Sequence, residues 1–209
     1  MVRRGLNMKI SNKGIIALAL HEGIVPAPYL DTKGVLTYGI GHTVRAGGIN
    51  PNDLEVGMPL DVPNALQTVF AQFKNDLKRY ENDCNDAIKV AVNQHEFDAA
   101  VSFHYNTGAI KGATWVKTLN TGDHVLAGTQ IMNWKKPAEI IPRREAEQTL
   151  FRTGKYPKGN ITVWKVEGTK VIWEAERYIT PEEMLDIIQP KAKSILTILV
   201  EMFLKLYAK

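Results

Sequence analysis

Between Pro26 and Asn52 the chain places eight glycines and prolines: Pro26, Pro28, Gly34, Gly39, Gly41, Gly47, Gly48 and Pro51. No long helix tolerates that density, because proline lacks the N–H a helix needs and each glycine costs about 1 kcal/mol relative to alanine. The pieces between them, such as Val35-Leu36-Thr37-Tyr38, are β-prone. A small, twisted antiparallel sheet built from hairpins is therefore expected. On either side the pattern is helical. Ser11 is placed to cap a helix over Asn12–Leu20. From Asp61 to Asp83, Ala65, Val69, Phe73 and Leu77 recur on one helical face. Asn93-Gln94-His95-Glu96 reads as a capping box, followed by Phe97, Ala100, Val101 and His104 on one stripe. Further helices are expected over Thr114–Asn120, His124–Trp134 and Arg143–Phe151. The sum is an α+β fold with a small sheet lobe and a larger helical lobe.

The texture changes after Tyr156. Ile161–Val166 and Lys170–Trp173 flank Glu167-Gly168-Thr169 and read as a hairpin. Thr180-Pro181-Glu182-Glu183 then opens a helix to Gln189, and a second runs from Lys191 to Tyr207 after Pro190. The expected division is a domain over 1–159 and a C-terminal hairpin-helix extension over 160–209. In the last helix Ile195, Leu199, Met202, Phe203 and Leu206 share one side, with Lys191, Lys193, Lys205 and Lys209 supplying charge. That pattern suits either packing on the rest of the chain or contact of Lys191–Lys209 with an anionic membrane surface.

Several classes are excluded. The single cysteine, Cys84, rules out an internal disulfide framework and a cysteine-rich zinc module. Gly39-Ile40-Gly41-His42-Thr43 is not a phosphate-cradling loop. His95-Glu96 fails as a zinc-protease start because Ala99 stands where the second histidine belongs. No G-x-S-x-G nucleophile elbow occurs. With 26 Lys+Arg against 22 Asp+Glu the net charge is +4, a weak preference for anionic partners. No stretch reaches the roughly 20 apolar residues of a membrane span. Gly14–Leu20, after the basic start, is too short for a secretory signal.

The candidate chemistry lies early in the chain. Glu22, at the end of the first helix, is suited to general-acid work at the floor of a cleft; taken alone, it reads first as a solvated charge at a helix end. Asp31 can face it as a second carboxylate, or simply form the Asp-x-x-Gly turn. Thr37 can hold a water or just occupy its strand. His42, His104 and Asn106 are candidates for lining a cleft.

It is the order of these residues that is specific. His21-Glu22-Gly23, Pro28-Tyr29-Leu30-Asp31 and Gly34-Val35-Leu36-Thr37-Tyr38-Gly39-Ile40-Gly41-His42-Thr43 resemble the signature of the phage-type lysozymes, the endolysins of tailed bacteriophages. In that signature a glutamate is followed at fixed spacing by an aspartate or cysteine and then a threonine. Phe103–Gly108 with Thr118-Leu119-Asn120, and Trp134 with Pro142–Glu147, are also similar to the family. The resemblance spans about Ile10 to Tyr156. One departure is Lys135–Ile141, where relatives often carry a glycine-rich turn.

The resemblance implies a muramidase that cleaves the β-1,4 bond between N-acetylmuramic acid and N-acetylglucosamine in peptidoglycan. Glu22 would be the general acid. Asp31 would stabilise positive charge or position the nucleophile, and Thr37 would hold a water. Tyr38, His42 and Asn106 would contact substrate. No metal, cofactor or nucleic-acid partner is implied. The enzyme would stay in the host cytoplasm until a holin opens the membrane, then act at the periplasm and cell wall. A non-catalytic wall-binding module on the same fold and a transglycosylase are the competing readings.

Overall fold

A computed structural model describes residues 7–189; the expected helix over Lys191–Tyr207 lies outside these residues. The chain runs through α1 (Asn12–Glu22), a sheet of β1 (Val25–Leu30), β2 (Leu36–Gly39) and β3 (His42–Thr43), and the long α2 (Val62–Ala87). There follow α3 (Gln94–Thr107), α4 (Thr114–Leu119), α5 (His124–Gln130), α6 (Ile141–Thr153), a hairpin of β4 (Ile161–Glu167) and β5 (Lys170–Ile179), and α7 (Pro181–Ile188). The expected α+β division is present: a three-stranded antiparallel sheet, ordered β1-β2-β3, stands beside the helices.

Local signals set the helix ends. Ser11 Oγ accepts from Gly14 N at 3.0 Å, so α1 starts where its orphan N–H groups find a partner. Asp61 caps α2 through Asn64 N at 3.0 Å. At α7, Thr180 Oγ1 and Glu183 exchange bonds of 3.1 and 2.8 Å with each other's backbone. The buried stripe of α2 is Leu66, Val69, Phe70, Phe73 and Leu77.

Helix α3 is the axis of the molecule. Every residue from Glu96 to His104 is buried, so its four polar side chains must be satisfied inside. Each finds a partner on a different element. Glu96 meets His124 at 2.6 Å and Asp98 accepts from Tyr156 Oη at 2.7 Å. Ser102 donates to Glu147 at 2.8 Å and His104 meets Asp83 at 3.1 Å. Asp98 also accepts from Ser11 N at 2.9 Å and from the Ser11 hydroxyl. That contact requires glycine at position 14, since a Cβ there would stand 2.6 Å from the Asp98 carboxyl carbon.

The residues after 159 continue this core. Ile161, Val163, Ile179, Met184 and Ile188 are buried in the same cluster as Phe97 and Phe103. The hairpin lies along β1 and covers its free edge. Ile24 and Val163 form a parallel bridge, through Ile24 N to Thr162 O at 2.9 Å and Trp164 N to Ile24 O at 2.8 Å. At the far end Leu30 N donates to Thr169 O at 2.8 Å and Gly57 N to Gly168 O at 2.9 Å. The hairpin is thus a fixed wall against the sheet lobe, and β5 runs six residues past the Trp173 end expected from its sequence pattern.

Candidate active site

Glu22 is the last residue of α1. The helix stops there because Gly23 takes φ +70°, and its N–H closes on Ala19 O at 2.9 Å. Only glycine fits: a Cβ at position 23 would lie 2.5 Å from Trp164 Nε1, which the hairpin lays over this turn. The Glu22 side chain, 26% exposed, reaches back to the helical lobe, where Arg143 Nη1 donates to Oε1 at 2.6 Å. Arg143 also donates through Nε to Glu147 at 3.1 Å and through Nη2 to Ser102 O at 3.2 Å. Arg144 pairs with Glu147 and donates to Asn106 Oδ1. Two carboxylates and two guanidiniums therefore alternate from Glu22 to Asn106 and balance in charge.

Burial and charge act against each other here. Burial would depress the Arg143 guanidinium, but Glu22 and Glu147 outweigh it and hold the group above its ordinary value. The Glu147 carboxyl is pushed up by burial despite both arginines. Arg144 is lowered, by burial and then by the charge of Arg143, against the pull of Glu147. His21 is driven down to about 4, mainly by burial and then by the two arginines, and so is neutral at pH 7.

Asp31 closes the β1–β2 turn. Its Oδ1 accepts from Lys33 N and Val35 N, both at 2.8 Å. This is the turn-forming role its sequence context suggested, yet it consumes only one oxygen; Oδ2 has no hydrogen bond among the described residues. Tyr29, in β1, precedes Asp31 by two residues and lines a groove with it. Its phenol is pushed up to about 12, first by burial and then by the charges of both Glu22 and Asp31. Thr37 pairs directly opposite Tyr29 in the sheet, which puts the two on one face. The Thr37 side chain is buried, and its hydroxyl donates to Val35 O at 3.0 Å.

The three expected substrate contacts fare differently. Tyr38 follows Thr37 in the same strand and so points to the opposite face of the sheet. It is 4% exposed and lines a separate depression with Pro26, Pro28 and Met58. His42 is 2% exposed, and both ring nitrogens are occupied, by Asp76 Oδ2 at 2.9 Å and Ile49 O at 2.6 Å. It braces the sheet lobe against α2 and has no ring nitrogen left to offer a sugar in this structure, while Tyr38 faces away from Thr37. His104 is likewise buried, against Asp83 and the Ile110 N–H. Asn106 is exposed, at the far end of the ion-pair chain from Glu22. Sequence reading did not single out Arg143, Tyr29 or Trp164 for the site. Only the spacing of Arg143 and Arg144 to Glu147, four and three residues, was a visible hint of pairing.

A small sheet carrying an acid and a hydroxyl, set beside a helical lobe whose first helix ends in a second acid, is the lysozyme-like architecture. The chain belongs to the phage lysozyme family, whose model matches residues 19–147. It is 32% identical over 150 residues to the endolysin of Salmonella phage P22, spanning 69% of this chain and 98% of that protein. It is 29% identical over 137 residues to the SAR-endolysin of Escherichia phage Mu, spanning 62% and 73%. Among solved structures, the endolysin from Escherichia coli O157:H7 phage FAHEc1 superposes with a TM-score of 0.60 at 31% identity, over 72% of this chain and 98% of that one. A P22 lysozyme mutant gives 0.59 at 30%, over 69% and 98%. The family match ends before β4, so the hairpin stands outside it.

Proposed function

We infer that this chain is an endolysin, a glycosidase that hydrolyses peptidoglycan at the bond between N-acetylmuramic acid and N-acetylglucosamine and so lyses the bacterial host. Glu22 acts as general acid on the leaving oxygen, through Oε2, the oxygen that Arg143 does not hold. Asp31, through Oδ2, stabilises positive charge at the sugar or positions the attacking water. The Thr37 hydroxyl gives its own proton to Val35 O and is left to accept one from that water. The observation that carries this reading is the match of residues 19–147, which hold Glu22, Asp31 and Thr37, to the phage lysozyme family.

The test is Glu22→Gln, which keeps the size and cannot donate the proton. General acid catalysis is typically worth about 10²–10⁴-fold, and a loss of that order in release of reducing ends from purified peptidoglycan is expected, with the circular dichroism unchanged. Near-normal release by the folded variant removes Glu22 from the role. Anhydro-muramic ends in place of reducing ends would make the enzyme a transglycosylase.

Action at the wall requires passage of the inner membrane. Among the described residues no helix is long and apolar enough to cross a membrane. We propose that a holin opens the way and that the enzyme waits in the host cytoplasm until then. Two relatives bear the name SAR-endolysin, so the comparison to make is expression with and without a holin. Lysis without one would overturn the proposal. Residues 1–159 are proposed as the catalytic unit, with 160–209 as its extension and Lys191–Lys209 as a surface for anionic membrane.

A further inference from the structure

We propose that the β4–β5 hairpin adds a glycan-binding subsite beside Asp31, with Trp173 as the platform on which a sugar ring stacks. The inference rests on the muramidase reading and extends it to substrate length. A groove of about 500 Å³ opens between two segments: Tyr29 to Thr32 on one side, and Thr169, Lys170, Val171 and Trp173 on the other. One wall carries the candidate catalytic aspartate. The other belongs wholly to the hairpin that lies beyond the family match. A strand of sugar passing Asp31 therefore runs directly into the hairpin.

Three observations make the second wall a surface for sugar. Trp173 is 75% exposed, a large apolar surface to leave in water. Its orientation is set by an edge-to-face contact with Trp164, with ring centroids 5.5 Å apart at 77°, and Trp164 is itself seated on Gly23 next to Glu22. The bond from Leu30 N to Thr169 O fixes the hairpin tip to the opposite wall, and Gly57 N to Gly168 O ties it to the loop before α2, so the groove is formed before any ligand arrives. A pyranose ring offers one face of C–H groups and a rim of hydroxyls. The groove answers with an indole face and a rim of Thr32, Thr169 and Asp31. Lys170, exposed at the same edge, suits the carboxylates that muramic acid and its peptide stem carry. The occupant this chemistry fits is a peptidoglycan strand that extends past Asp31 onto the hairpin.

The experiment has a catalytic arm and a binding arm, both in the full chain. In the first, Trp173→Ala and Trp173→Phe are assayed on un-crosslinked glycan strands and on short muropeptide oligosaccharides. Trp173→Ala should raise KM on long strands about threefold to tenfold, the factor one aromatic stacking contact supplies, with a smaller effect on short ones. Phenylalanine should restore part of it. Glu176→Ala, on the same hairpin but outside the groove, is the control. In the second arm, Glu22→Gln is compared with Glu22→Gln/Trp173→Ala for sedimentation with purified sacculi, and the double variant should bind several-fold more weakly. Equal losses on long and short strands, or sacculus binding indifferent to Trp173, would overturn the subsite. So would a Trp173 effect confined to phosphatidylglycerol vesicles, which would make the face a membrane contact. Binding that depends on Trp173 in a wild-type protein that cleaves nothing would overturn the catalytic reading and leave the subsite standing.

Discussion

Arg143 joins the first helix to the sixth, and its removal tests how much of the site's order is electrostatic. Arg143→Ala deletes the donor to Glu22 at 2.6 Å, to Glu147 at 3.1 Å and to Ser102 O at 3.2 Å. Glu22 can turn to water. Glu147, 1% exposed, cannot. Leaving a buried charge without its partner costs about 3–5 kcal/mol. Glu147 keeps Arg144 and Ser102, so the lower end, about 3 kcal/mol, is expected. For a chain of this size each kcal/mol moves Tm by about 2–4 °C, giving a fall of about 6–12 °C. Differential scanning calorimetry at pH 7.5 measures it. The pH dependence supplies a check within the same variant. Burial already holds the Glu147 carboxyl above its ordinary value, and losing Arg143 raises it further. A group raised in the folded state contributes stability that is full at low pH and is lost as pH rises through the folded pKa. The gap between Arg143→Ala and wild type should therefore narrow as pH falls toward 4.5. Lytic activity should fall as well, because Glu22 loses its anchor. A Tm shift below about 3 °C, or a gap that widens in acid, would refute the account of Glu147 as a charge kept buried by its arginines.

Two further expectations concern the end of α1. Gly23→Ala must hold a side chain at φ +70° and against Trp164 Nε1; a loss of about 2–3 kcal/mol in urea unfolding is expected, together with weakened lysis, and an unaffected variant would show that Trp164 yields freely. His21 is held down to about 4 in the fold against an ordinary value near 6.5, so the unfolded chain takes up the proton first. Its contribution is full above pH 6.5 and is lost as pH falls through about 4, amounting to about 3 kcal/mol at most. His21→Asn should accordingly lose less stability than wild type between pH 7 and 4.5, and parallel losses would remove His21 as the cause.

What the sequence made legible is what is settled by near neighbours in the chain. Ser11, the pair Thr180 and Glu183, and the glycines and prolines from Pro26 to Pro51 each act over a few residues, and the helix starts and small sheet lie where those signals put them; the ends of α1 and α2 run past the expected Leu20 and Asp83, and α5 stops short of Trp134. The fixed spacing of Glu22, Asp31 and Thr37 belongs to the same short-range class. The partners of these residues do not. Arg143 meets Glu22 across 121 positions, Tyr156 meets Asp98 across 58, and His42 meets Asp76 across 34. No local pattern encodes such contacts, which explains why His42 read as a cleft residue when it is a brace. The strand alternation that turns Tyr38 away from Thr37 was available in the sequence; only the choice of which face meets Glu22 needed the fold. The hairpin itself was legible, but its seat along β1 depends on backbone bonds that carry no side-chain signature.

That seat has a consequence for how the molecule comes into being. Strand β1, the inner wall of the sheet lobe, has an edge that is closed only when Val163 and Thr169 reach Ile24 and Leu30. A chain still growing on the ribosome has made Glu22, Asp31 and Thr37 long before it has made the residues that close this edge. Until then the Ile24 and Leu30 N–H groups lack these partners, Pro26 and Pro28 between them having no N–H to pair, and the turn that carries Glu22 lacks the indole that packs on it. The turn that carries Glu22 is therefore expected to reach its final packing only after the hairpin has been made, well after Glu22, Asp31 and Thr37 themselves.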